Sequence, residues 1–136
     1  MTVDRSRYCA PVNADTGLAP VRSMAISHFR RLGIRAVDRS EMLVLINELA
    51  TNIIRHGGNG EICLFPLSVK GHSGFLIRAI DSGPGIKDLK KALEPGGSED
   101  HGLGLGLNAI RNLSDDVRIS SRIQGGTQIE VWKWLN

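Results

Sequence analysis

The sequence predicts a two-layer α/β (α+β) sandwich, with one mixed, mostly antiparallel sheet and helices on one of its faces. Three observations lead there. Helical and hairpin patterns come in blocks instead of strict βαβ alternation. Apolar residues make up 41% and charged residues 23%, close to soluble globular averages. The length of 136 residues suits a single domain spanning 1–136, enough to bury a core without staples.

Taken in order, "RYCAPV" (7–12) is a short β-type run closed by Pro11. A helix follows, with Asp15 or Thr16 as N-cap, apolar residues at Leu18, Val21, Ala25, Ile26, Phe29 and Leu32, and Gly33 as its stop. The next helix is capped by Asp38 or Ser40 and ended by Gly57 or Gly58. Nearly its whole circumference is apolar, except for a stripe of Glu48, Asn52, Arg55 and His56. "EICLFPLSV" and "FLIRAID" read as strands joined by a turn, and Pro66 places the first at an edge or a bulge. A loop "SGPGI" leads to a short helix "KDLKKAL", an irregular stretch, a helix "LNAIRNLS" and a closing hairpin through "QGG".

Several function classes are excluded. The apolar run "MLVLI" is far short of the roughly 20 residues of a membrane span. The N-terminus does not read as a signal peptide, so the expected compartment is the cytoplasm. Cys9 and Cys63 lack companions for a four-ligand metal site and read as buried thiols. The net charge of +3 comes from scattered basic residues with only 4% aromatics, so nucleic acid is not the expected partner. A phosphate ligand or an acidic partner accounts for the excess.

Twelve of the sixteen glycines lie between 57 and 106, which points to a ligand in the middle of the chain. "HGLGLGLNAIRN" (101–112) feeds glycines into a helix start, where free N–H groups and the helix dipole suit an anion. The P-loop pattern is absent. A G-x-G-x-x-A match at Gly104, Gly106 and Ala109 does not follow a strand, as a dinucleotide fingerprint must.

A stronger signal comes from "NELATN" (47–52), "DSGPGI" (81–86), "GLGLGLNAI" (102–110) and "GGT" (125–127). In order and spacing these resemble the N, G1, G2 and final boxes of the GHKL superfamily of ATPases and kinases, which shares the Bergerat ATP-binding fold. With its short lid, the chain is most similar to the small anti-sigma-factor serine/threonine kinases of the RsbT type, the switch proteins of stressosomes. The resemblance implies ATP and Mg²⁺ as cofactors and a STAS-domain protein as substrate. It further implies a PP2C-type phosphatase or a sigma factor as other partners, and leaves a homodimer open. An anti-sigma factor that sequesters a sigma subunit, and a nucleotide-dependent binding module without turnover, are the rival readings.

The boxes fit that chemistry. Glu48 and Asn52 stand one turn apart on a helix, so a carboxylate and a carboxamide oxygen project together. The resemblance makes Glu48 the general base and Asn52 the Mg²⁺ ligand. It makes Asp81 the acceptor for the exocyclic amine of adenine, backed by Thr127, with Gly83, Gly85 and Ile86 forming the adjoining loop. Gly102, Leu103, Gly104, Leu105 and Gly106 become the end of an ATP lid wrapping the phosphates. Arg22 lies where related kinases dock their protein substrate.

His101 departs from the basic residue, usually Lys, that precedes the first lid glycine in such kinases. Either it meets phosphate while only partly charged, or it is an exposed lid residue. In the first case phosphotransfer falls as pH rises from about 6 to about 8, and His101→Lys flattens the profile. An unchanged profile in the variant assigns His101 to the second.

Overall fold

The computed structural model describes residues 2–3, 7–85, 106–122 and 125–135. In chain order these form β1 (Thr2–Val3), β2 (Tyr8–Asn13), α1 (Ala19–Arg31) and α2 (Ala36–Asn52). A π-helical turn (Ile53–Gly57) extends α2, and β3 (Asn59–Val69), β4 (His72–Asp81), α3 (Leu107–Leu113), β5 (Asp116–Arg122) and β6 (Gly126–Trp134) follow. The helix expected at "KDLKKAL" lies outside the described residues.

The strands make a six-stranded sheet in the order β1-β3-β4-β6-β5, with β2 also paired to β3. Every described ladder is antiparallel. Lys70 and Gly71, with φ of 49° and 82°, make the tight turn between β3 and β4. Because strand side chains alternate, whole rows of the sheet share a face. One row is Ala10, Ile62, Ala79, Ile129 and Ile119; the next is Leu64, Ile77, Val131 and Val117. These rows meet Val21, Ala25 and Phe29 of α1, Met42, Leu45, Ile46 and Leu49 of α2, and Leu107 and Ile110 of α3 in one core. Burying each large side chain there contributes about 1.5–3 kcal/mol. The other face carries Arg78, paired with Glu130 at 3.1 Å and lying over the Phe65 ring.

Several local expectations are corrected. Asp15 and Thr16 do not cap α1, whose N-cap is Leu18. Their N–H groups instead donate to Asn13 Oδ1, each at 2.9 Å, in a turn after β2. Helix α2 begins at Ala36 after Arg35, so Asp38 sits buried inside its first turn. Strand β3 is not an edge. Its described pairing runs to Leu64 with β2 and resumes at Leu67 with β1, and Pro66 falls between them.

The cysteines are also not free thiols. The β2–β3 register sets Cys9 opposite Cys63, and the two form a disulfide. A spacing of 54 residues gave no hint of that pairing. On the same strand, Tyr8 stacks on His28 of α1 at 3.6 Å and accepts a hydrogen bond from Arg31 Nη2 at 2.7 Å. Burial and then the Arg31 charge hold His28 below its ordinary pKa, so the ring stays neutral in this stack.

Phe29 is fully buried and meets Phe75 edge-on, with centroids 5.5 Å apart. Phe29→Ala should cost about 3–5 kcal/mol in denaturant unfolding, because α1 and the sheet cannot both close over the gap.

Candidate functional site

The site starts from the way α2 ends. Leu45, Ile46, Leu49, Ala50 and Ile53 fix the inner side of the helix against the core. That orientation leaves Glu48 half-buried and Asn52 only 5% exposed, one turn apart. The helix then widens by a π turn, closed by the Gly58 N–H donating to the Ile53 carbonyl at 2.7 Å. Arg55 and His56 face solvent from this turn, so the predicted four-residue stripe divides after Asn52.

The π turn carries Gly57 onto the end of β4. A β-carbon at Gly57 would overlap the Asp81 side chain, and one at Gly83 would overlap the Gly57 backbone. Only glycine permits this approach. Across the sheet, Asp81 is paired with Thr127 of β6, which is paired with Ser121 of β5. Asp81 Oδ1 accepts the Gly83 N–H at 2.9 Å and the Thr127 N–H at 3.2 Å. Both bonds fall on one oxygen. Among the described residues Oδ2 has no donor, which fits the amine of a purine. The Thr127 and Ser121 hydroxyls lie 3.3 Å apart and continue the polar line. A cavity of about 290 Å³ opens here, lined by Asp81, Ser121, Arg122, Gly126 and Thr127 among others.

At the other side of the site stands Gly106, the N-cap of α3, in the left-handed conformation with φ of 60°. A β-carbon there would strike the Glu48 carboxylate. The start of α3 and the expected base are therefore in direct juxtaposition.

The structure thus gathers Glu48 and Gly106 at one place and Asp81, Gly83 and Thr127 at another, and the end of α2 joins them. Gly85 is also in the left-handed region, against the Arg122 carbonyl. Arg22 is exposed on α1, the helix that packs over β2. Ile86, His101, Gly102, Leu103, Gly104 and Leu105 lie outside the described residues. Sequence reasoning missed Gly57, taken only as a helix stop, and Ser121. The hairpin could have supplied the second, since pairing about the "QGG" turn sets Ser121 against Thr127.

A larger cavity of about 780 Å³ lies at the opposite end of the sheet, against Leu32, Ile34, Leu67, Phe75 and Leu135. None of the expected site residues lines it.

Glu48 can accept a proton from a hydroxyl, and the Asn52 oxygen one turn away suits a divalent cation. Gly57→Ala should push Asp81 out of place and weaken nucleotide binding at least about tenfold, or about 1.4 kcal/mol. Titration with a fluorescent ATP analogue measures this, with circular dichroism confirming an intact fold.

Comparison with known proteins agrees with this geometry. Residues 12–133 match the family of histidine kinase-like ATPase domains. The chain is 34% identical to the serine/threonine-protein kinase RsbT of Bacillus subtilis (strain 168), over 93% of this chain and 96% of that protein. It is 32% identical to the anti-sigma F factor of Bacillus licheniformis, over 73% of this chain and 71% of that one. With the anti-sigma F factor of Thermoanaerobacter sp. (strain X514) it shares 26% identity, over 71% and 70% of the two chains. Box order, sheet topology and these likenesses agree: the chain belongs to the histidine kinase-like ATPase domain family and is similar across nearly its full length to a serine/threonine kinase within it.

Proposed function

We propose that this chain is an ATP- and Mg²⁺-dependent serine/threonine-protein kinase that phosphorylates a STAS-domain protein in a bacterial partner-switching pathway. The observation that carries this is the placing of Glu48 and Asn52 one turn apart on a helix packed against the core, with the Gly106 backbone held against Glu48. Asp81 holds the adenine amine through Oδ2 while Gly83 and Thr127 fix its other oxygen. Glu48 takes the proton of the serine or threonine hydroxyl as it attacks the γ-phosphate. Asn52 would hold Mg²⁺, which when bound neutralises phosphate charge.

Likeness to a kinase covering 96% of that protein favours phosphotransfer as the main activity. Likeness to anti-sigma F factors supports a second reading, in which sequestering a sigma subunit is the main output. No described helix is long and apolar enough to cross a membrane. A cytoplasmic setting is proposed, where thiol reductants act on the Cys9–Cys63 bond.

Incubation with labelled ATP, Mg²⁺ and purified STAS-domain proteins tests the reading. Wild type should label one of them on serine or threonine, and Glu48→Gln should lower the rate about 10²-fold or more while ATP binding persists. Intact transfer by Glu48→Gln would refute the mechanism. Capture of a sigma subunit, with no STAS protein labelled, would favour the second reading.

A further inference from the structure

The Cys9–Cys63 bond lies away from the candidate site and takes no part in its chemistry. Its two ends differ in access. Cys9 is exposed on β2, whereas Cys63 is only 3% exposed on β3, so a molecule arriving from solvent meets Cys9 first. Exchange at a disulfide depends on which sulfur can be reached.

The bond also holds a particular part of the fold. Among the described residues, β3 is the only strand that pairs with β2, so β2 is an edge strand. Apart from that ladder, β2 is held by Ala10 and Val12 in the core and by Tyr8, which stacks on His28 and accepts a hydrogen bond from Arg31 of α1. The disulfide adds a covalent tie. Its partners are 54 residues apart, and the loop between them contains α1, α2 and the π turn. The helical layer that carries Glu48 and Asn52 therefore runs between two clipped ends, and cutting the clip frees β2 and α1 before it frees the centre of the sheet.

We propose that the Cys9–Cys63 bond is a thiol-exchange site, opened at Cys9 by a low-molecular-weight thiol, and that its state sets how firmly β2 and α1 are held on the sheet. The thiolate of that thiol attacks Cys9 Sγ. A new S–S bond forms there, the Cys9–Cys63 bond breaks, and its electron pair leaves on Cys63 Sγ, which takes a proton from water. A second thiolate then attacks the outer sulfur of the mixed disulfide and releases Cys9. In sum, two thiols are oxidised to one disulfide while the protein bond is reduced to two thiols. This inference stands apart from the kinase reading, since its readouts need no phosphotransfer.

The test uses the full chain purified without reductant. Brief treatment with glutathione, an acid quench and peptide mass spectrometry should find the adduct on Cys9 at least about tenfold more often than on Cys63. After full reduction with dithiothreitol, amide hydrogen exchange in β2 and α1 should quicken about tenfold or more, with the paired amides of β4 and β6 changing far less. The double variant Cys9→Ser, Cys63→Ser should exchange like the reduced wild type, which separates loss of the bond from any effect of the reductant. An adduct chiefly on Cys63, or free thiols in the untreated chain, overturns the exchange site. Equal exchange in the two redox states overturns the hold on β2 and α1, and so does a rise of the same size in every segment, which would make the bond a general staple.

Discussion

The contact on which the site depends is the one between Gly57 and Asp81. No β-carbon fits between them, so the end of α2 and the end of β4 are locked at backbone distance. That contact fixes how far α2 advances over the sheet. It thereby fixes where the last α-helical turn presents Glu48 and Asn52 relative to the carboxylate that would read a base. The π turn makes the approach possible. It adds a residue per turn between Asn52 and the sheet, so the polar pair stays on the helix while Gly57 reaches Asp81.

The same helix must also hold the two layers together. Its inner residues are among the most completely buried in the chain, and Asn52 is buried beside them. Burying an amide is costly unless it is paired, and Asn52 has a partner within the fold. The core and the candidate site therefore share one element, so a change to the packing of α2 moves Glu48. The sheet supports the Asp81 end of the candidate site in a similar way. Backbone pairing of β4, β6 and β5 sets Asp81, Thr127 and Ser121 in a row, and hydrogen bonds along that row hold the carboxylate still.

Much of this was legible in the sequence, because the periodicities are strong. The 3.6-residue spacing from Leu18 to Leu32 and the apolar wrap of 42–54 gave both long helices, and the alternating runs gave the long strands. Local signals that compete with tertiary context misled. Asp38 and Ser40 look like caps, yet α2 starts earlier because Arg35 supplies the extended entry and Asp38 is drawn inside. Pro66 suggested an edge, but a central strand tolerates it where the pairing on one side passes from β2 to β1. The Cys9–Cys63 bond needed the register of strands far apart in sequence, which no local pattern carries. The candidate site residues came from box spacing, and Gly57 and Ser121, which it did not name, join them only through contacts with other elements.

The glycine-leucine repeat shows how structure alters the meaning of a motif. From sequence, Gly102, Gly104 and Gly106 read together as bare backbone for wrapping phosphate, since close packing of a helix start accounts for only one of them. Gly106 has a different constraint in the fold. Its positive φ opens α3 without strain, and its lack of a side chain leaves room for the Glu48 carboxylate. A side chain at 106 would therefore strike Glu48. The residue that ends the glycine-leucine repeat is in this way also part of the wall around the Glu48 carboxylate, and the repeat and α2 cannot vary independently at that point.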